Sequence, residues 1–117
     1  MVKPKRGRRI GGSASHQKAI MANLAIALLE HNRIKTTHTK AKRLKAVIDK
    51  LIGLGKKDDL SSKRKALSML RYNRKAVKKL FDEVAPRYHQ KDSGFSRIIK
   101  IGERPGDASL MVFIELT

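Results

Sequence analysis

Four histidines, at positions 16, 31, 38 and 89, are the residues whose chemistry first suggests catalysis or metal binding. No two of them have the i, i+4 spacing of a helical metal site, and there is no HExxH motif or cysteine ligand. The acidic pairs Asp58-Asp59 and Asp82-Glu83 lie at helix ends or on helix surfaces, where carboxylates typically balance charge. The sequence therefore predicts no catalytic site, no metal, no cofactor and no small-molecule substrate.

Basic residues near the start of the chain point to phosphate binding instead. Residues 1–15 combine glycine and proline with five cations, Lys3, Lys5, Arg6, Arg8 and Arg9. Neutralising phosphates requires charge density rather than fixed geometry, so a flexible arm is sufficient. We expect residues 1–15 to form an arm that becomes ordered on RNA; the alternative is a solvated tail.

Hydroxyl groups beside cations mark two further candidate phosphate sites. One lies at the predicted start of the first helix and contains Ser15, His16 and Lys18; the other contains Lys35, Thr36, Thr37 and Lys40. Hydroxyls, helix N-terminal amides and ammonium groups together suit phosphate oxygens. Ordinary helix capping by serine and threonine is the competing interpretation.

These residues depend on helices and a strand in the first half of the chain. Residues 16–31 are apolar on almost every side, which predicts a central buried helix, and residues 33–37 form a β-branched run. Thr39 is predicted to cap a second helix, which Gly53 and Gly55 end. Its apolar face carries Ala41, Leu44, Val47, Ile48, Leu51 and Ile52, and its polar face carries Lys42, Arg43, Asp49 and Lys50. Lys42 and Arg43 of this polar face are further candidate RNA contacts.

The second half is predicted to add two helices and a β-hairpin. The third helix carries Leu60, Leu67 and Leu70, and the pattern breaks at Tyr72 and Asn73. Pro86 ends the fourth helix, whose buried stripe is Ala76, Val77, Leu80, Phe81 and Val84. Residues 95–101 and 110–116 form the hairpin, which the strand around Ile34 joins. The predicted fold is α+β: several helices packed on a small mixed sheet in one domain, residues 16–117, with the flexible basic arm before it.

Composition agrees with a nucleic-acid ligand. Among 117 residues, 28 are Lys or Arg and 10 are Asp or Glu, a net charge of +18 that implies a polyanionic partner. The absence of cysteine gives no indication of an oxidising compartment, and the apolar run at residues 19–29 is shorter than the roughly 20 residues of a membrane span. We expect a cytoplasmic protein without a targeting segment or a membrane span. Only five aromatic residues argue against a multi-base stacking sheet.

Three stretches carry a family resemblance: GRRIGGSASHQKAIMANL at 7–24, HNRIKTTHTKAKRLK at 31–45 and SRIIKIGERPGDASLMVFIEL at 96–116. In this order they resemble the family of the seventeenth-numbered protein of the bacterial large ribosomal subunit. One departure is Gly53, where the family often has threonine. The resemblance implies a non-enzymatic structural protein of the cytoplasmic ribosome, bound to large-subunit (23S-type) rRNA and neighbouring ribosomal proteins near the exit of the peptide tunnel. Arg97, in the third stretch, joins the candidate RNA contacts.

Two other classes of function are compared with this one. A DNA-binding or nucleoid-associated protein could use the second helix as a reader, but its polar face has no Asn or Gln to pair with adenine, although Arg43 could read guanine. A nuclease or an RNA-modifying enzyme would need an acid–base or metal constellation that the sequence lacks. The first of these remains the alternative.

Overall fold

The computed structural model describes residues 14–92 and 94–117 of the chain. This part contains four helices and three strands: α1 Ala14–His31, β1 Arg33–Thr37, α2 His38–Lys57, α3 Leu60–Met69, α4 Arg74–Lys79, β2 Ser96–Glu103 and β3 Leu110–Leu116. Beyond Lys79 the fourth helix continues as a π-helical turn, Leu80–Val84, and a 3-10 turn, Ala85–Tyr88. Residues 1–13, which hold most of the predicted arm, lie outside the described residues.

The sheet has β3 in its centre, with β1 on one side and β2 on the other. Both neighbours run antiparallel to β3, so the predicted hairpin and the predicted third strand are confirmed, and with them the α+β fold class. The sheet is antiparallel throughout, not mixed as expected. Val112 and Ile114 are fully buried towards the helices, as the alternation of residues along β3 requires.

Helix α1 is buried on one side only, which corrects the prediction of a central helix. Its fully or almost fully buried residues are Ala22, Ala25, Leu28 and Leu29, whereas Ile20, Met21, Leu24 and Ile26 are only partly buried. Helices α1 and α2 pack on the sheet, whereas α3 packs on α2 and α4 packs on α1 and α3. The side of α1 that faces away from these partners is therefore only partly buried. The helix begins at Ala14, which places Ser15 inside its first turn.

Helix α2 has the predicted buried face but different ends. Leu44, Ile48 and Ile52 are fully buried, while Val47 is only partly buried. Thr39 is not its N-cap, because β1 leads directly into the helix and Thr37, with φ −75° and ψ 153°, is both the last strand residue and the cap position. The Thr37 side chain makes no capping hydrogen bond.

The two glycines near the end of α2 do not terminate it, contrary to the prediction. The helix continues to Lys57 and ends at Asp58, which adopts the left-handed conformation. Gly55 is buried against the 3-10 turn: a Cβ at this position would lie 2.7 Å from the Cβ of Ala85. A Cβ at Gly53 would meet nothing within 4 Å. Gly55 therefore serves a close approach between two helical segments.

The three leucines of the predicted third helix differ in burial. Leu60 is 64% exposed, whereas Leu70 is fully buried and Leu67 is partly buried. The first residue of a helix lies at its margin, and α3 begins at Leu60 directly after its cap. Asp59 supplies this cap, since its carboxylate accepts a hydrogen bond of 2.6 Å from the backbone N–H of Ser62.

Pro86 was predicted to stop the fourth helix, but it changes the helix geometry instead. Proline has no N–H, and its ring clashes with the carbonyl four residues earlier in a regular α-helix. The chain avoids the clash by widening into the π-helical turn before Pro86 and tightening into the 3-10 turn that contains it. The predicted break at Tyr72 and Asn73 is confirmed, and the Asn73 side chain caps α4 through the N–H of Ala76.

Candidate nucleic-acid interface

The sheet presents one face to the helices and an opposite face to solvent. We call the second one the outer sheet face; its members on the three strands are Arg33, Lys35 and Thr37 of β1, Met111, Phe113 and Glu115 of β3, and Arg97 and Ile99 of β2. Strand alternation places these residues together, since the intervening Val112 and Ile114 are buried. Three sequence-predicted contacts, Lys35, Thr37 and Arg97, thus come together on one surface.

Two arginines on this face share one carboxylate. Arg33 and Arg97 lie directly across from Glu115 on the two neighbouring strands, with Nε-to-carboxylate distances of 3.6 Å and 2.5 Å. The Glu115 side chain is only 14% exposed, while both arginines are at least half exposed. The trio keeps one net positive charge at the surface.

Arg33 is also held by an aromatic ring. Its guanidinium carbon lies 3.7 Å from the centroid of the Phe113 ring, which is a cation–π contact. A cation fixed in this way loses less conformational entropy when it binds a phosphate than a freely rotating one does. Sequence reasoning missed Arg33, although its spacing of two residues from Lys35 in a predicted strand places both on one face.

The threonines beside Lys35 divide between the two faces of β1. Thr36 is 7% exposed and faces the core, so it is not available to an RNA ligand, contrary to its place among the predicted contacts. Thr37 lies on the outer side and is partly buried. The Thr37 side chain does not cap α2. The backbone N–H groups in the first turn of this helix are therefore available to an anion.

The cations of α2 have different environments. Lys42 is exposed, Lys40 and Arg43 are partly buried, and none of the three takes part in an ion pair within the described part of the chain. Lys45, in contrast, donates a 2.9 Å hydrogen bond to the carbonyl of Ser96 and so joins α2 to β2. Lys40, Lys42 and Arg43 therefore remain candidates for phosphate contacts, whereas Lys45 has a structural role.

The remaining predicted contacts lie on or before α1. Ser15, His16 and Lys18 are exposed on its first turns. Lys3, Lys5, Arg6, Arg8 and Arg9 fall outside the described residues.

The titratable groups with shifted pKa values are all explained by structure. The hydrogen bond from Ser62 lowers the pKa of Asp59, and burial raises the pKa of Tyr88, whose hydroxyl donates to the carbonyl of Thr117 at 2.7 Å. The hydrogen bond with Arg104 lowers the pKa of Asp107 in the hairpin loop. None of these carboxylates faces a second one, so the shifts give no support to acid–base chemistry.

Over residues 14–92 and 94–117, no cluster of three or more His, Asp or Glu side chains is arranged to bind a metal ion. Among the helices in these ranges, none has the length and apolar composition needed to cross a bilayer.

Comparison with known proteins gives a consistent result. The family model described as ribosomal protein L17 matches residues 20–117. The large ribosomal subunit protein bL17 of Geobacter metallireducens is 48% identical over 112 residues, which cover 96% of this chain and 62% of that protein. The bL17 protein of Rubrobacter xylanophilus is 44% identical over 96% of this chain and 92% of its own length.

The two relatives differ in how much of them this chain matches, since it spans less than two thirds of the Geobacter protein but nearly all of the Rubrobacter protein. Both matches cover 96% of this chain, at 48% and 44% identity. The chain therefore belongs to the ribosomal protein L17 family.

Proposed function

We propose that this protein is a structural constituent of the large ribosomal subunit that binds large-subunit rRNA through phosphate contacts, near the exit of the peptide tunnel. Family membership supports a non-enzymatic role in the large subunit of the cytoplasmic ribosome. It also supports rRNA and neighbouring ribosomal proteins as the partners. The position near the tunnel exit is supported by the family resemblance of the three sequence stretches alone.

The observation that carries the phosphate contacts is the arrangement of cations around the junction of β1 and α2. Arg33 and Lys35 lie on the outer sheet face, and Lys40 and Lys42 follow within the first turns of α2. A short chain segment thus presents cations from two differently oriented elements, as a curved phosphate backbone requires.

Two groups of cations contribute to RNA binding in different ways, one held in place by the fold and the other in the predicted arm. Arg33, held by Phe113 and Glu115, offers a cation at a defined position, and the core beneath β1 keeps its distance from the cations of α2. The cations at positions 3–9 would add charge density that releases counterions from the RNA. Fixed contacts set the register, and the arm adds affinity.

The alternative of a DNA-binding protein gains no support from the position of α2. A reading helix must enter the major groove, which is about 12 Å wide. Helix α2 instead packs against α1, α3 and the sheet, and seven of its residues are buried. Only the narrow face around Lys42 and Lys50 is open.

Sedimentation tests the proposal directly. A tagged form of the protein, expressed in its own host, is followed through a sucrose gradient of cell lysate at moderate salt. We expect nearly all of it in the large-subunit, ribosome and polysome fractions. Recovery at the top of the gradient, or with DNA after nuclease treatment of the RNA, would contradict the proposal.

A further inference from the structure

The turn after α3 carries two side chains that its backbone disfavours. Arg71 and Tyr72 have φ values of 52° and 63°, the left-handed region in which glycine and asparagine are favoured. Backbone hydrogen bonds hold the turn, from the N–H of Tyr72 to Leu67 O at 2.7 Å and from that of Arg71 to Ser68 O at 3.2 Å. This is a Schellman helix end, in which glycine is usual where Arg71 stands.

Tyr72 is the most exposed aromatic residue of the described part. It is 72% exposed, whereas the other tyrosine, Tyr88, is buried and hydrogen-bonded. The Tyr72 side chain makes no hydrogen bond and no ring contact with a described residue. Neither the turn nor the core needs this ring, so a bulky residue is held in a disfavoured conformation without a structural gain.

An open cavity of about 510 Å³ lies beside the ring. Its floor is apolar and includes Met21, Val47 and Met69, while Lys18 and Arg71 stand at its rim with Tyr72. The volume falls within the range of about 300–1,000 Å³ found for small-molecule sites. Methionine side chains adapt their shape to a flat ligand.

The charge around this cavity is of one sign. No acidic residue is among its described lining residues, whereas two other cavities of the described part include Asp82. Arg43 and Lys50 lie four residues before and three residues after Val47 on α2, and therefore on the same face of that helix. A flat ring, an apolar floor and a cationic rim match a nucleobase with its flanking phosphates.

We propose that this cavity binds one unstacked nucleobase of RNA, with the Tyr72 ring stacked on the base and Lys18 and Arg71 contacting the adjacent phosphates. The inference rests on the proposed rRNA binding and adds a base-binding site to it. Proteins commonly hold splayed RNA bases by stacking on aromatic side chains. One such site is compatible with the low aromatic content of the chain.

Substitution of Tyr72 tests the site without risk to the fold. Tyr72→Asn removes the ring but suits the left-handed backbone, so we expect its melting temperature to equal or exceed that of the wild type. Its affinity for refolded large-subunit rRNA, measured by filter binding at constant salt, should fall about fivefold or more, as expected for the loss of base stacking. Tyr72→Phe should retain the affinity.

Leu60→Asn is the matched control, because Leu60 is similarly exposed at 64% and does not line the cavity. It should leave the affinity unchanged. An unchanged affinity of Tyr72→Asn would overturn the inference while leaving rRNA binding in place. Failure of the wild type to prefer this rRNA over small-subunit rRNA would instead contradict the proposed function.

Fluorescence gives an independent readout, since the chain has no tryptophan. We expect the emission of the Tyr72→Trp variant to be quenched on addition of the rRNA, because a stacked base quenches indole, and that of Leu60→Trp to stay unchanged. Equal responses of the two variants would overturn the stacking. A Tyr72→Asn protein that binds rRNA normally but is lost from assembled subunits would assign the ring to a protein partner and also overturn it.

Discussion

Lys35 and Lys45 show how equal charges ten residues apart acquire different roles. Lys35 is exposed on the outer sheet face without an ion pair among the described residues, whereas the Lys45 ammonium is bonded to the Ser96 carbonyl. An ammonium that already satisfies a backbone acceptor is not free to neutralise a phosphate. Charge counting from the sequence cannot make this distinction, because the two lysines differ in whether a backbone carbonyl from a distant segment contacts the ammonium group.

The first prediction compares these two lysines. Lys35→Ala should flatten the plot of log K for rRNA against log salt by about 0.7–0.9, the contribution of one phosphate, and change stability by less than about 0.5 kcal/mol. Lys45→Ala should leave the salt slope unchanged but lower the free energy of unfolding by about 1 kcal/mol, through loss of a hydrogen bond. Both quantities follow from filter binding and urea unfolding. The reverse pattern would show that the roles have been exchanged.

At the scale of elements, the contact between α2 and the 3-10 turn depends on the absence of one side chain. A Cβ at Gly55 would lie 2.7 Å from that of Ala85, a distance that real Cβ atoms essentially never show. The turn is held in its place by Pro86 and by the buried Tyr88, so it has little freedom to retreat. Gly53 lies two residues earlier, about 200° around the helix axis, and meets no such neighbour.

The second prediction uses this pair of glycines within one helix. Gly55→Ala should destabilise the protein by about 1–3 kcal/mol, as overpacking does. Gly53→Ala should stabilise it by about 0.5–1 kcal/mol, because alanine is the better helix former and the space is open. Chemical unfolding of both variants checks this. Similar effects of the two substitutions would mean that the helical segments are farther apart than described.

The third prediction concerns the capping carboxylate of α3. Because the Ser62 N–H lowers the pKa of Asp59 below that of the unfolded chain, about 3.9, Asp59 stabilises the fold at higher pH. This contribution is lost as the pH falls through the folded-state pKa. Asp59→Asn should match the wild type near neutral pH, since both residues cap well, and lose less stability between about pH 5 and pH 2.

Urea unfolding at several pH values measures the difference between the two proteins. The other acidic residues, including Asp107, titrate in both and therefore cancel. Parallel pH profiles would show that the charge of Asp59 does not contribute to the cap.

At the scale of the whole molecule, charge and core are separate. The buried residues of α1, α2, α4 and the sheet belong to one cluster, while the predicted contacts within residues 15–117, other than Thr36, are exposed or only partly buried. With a net charge of +18, association with RNA should respond strongly to salt, because each phosphate contact releases counterions from the RNA.

The fourth prediction tests this separation with the first ten residues. The slope of log K against log salt for large-subunit rRNA should be steeper than about −3 for the whole chain. Deletion of residues 1–10 should flatten the slope by at least about 1.4, the contribution of about two phosphates. It should leave the melting temperature nearly unchanged, because after Met1 only Val2 and Ile10 in this segment are sizeable apolar residues. A truncated protein that unfolds yet keeps its RNA affinity would contradict this division.

The sequence by itself determined the element types, the buried face of α2 and the pairing of β1 with the hairpin, and its charge predicts a polyanionic partner. These follow from periodicity and charge, which are properties of consecutive residues. Only the tertiary structure decided that α1 is buried on one side, that Gly55 lies inside a helix, that Thr36 faces the core, and that Arg33 stacks on Phe113. Each of these depends on a partner distant in the chain, as Lys45 and Ser96 are 51 residues apart. Local sequence patterns specify which side chains can be buried. The packing of segments distant in the chain decides which of these side chains are buried in the folded protein.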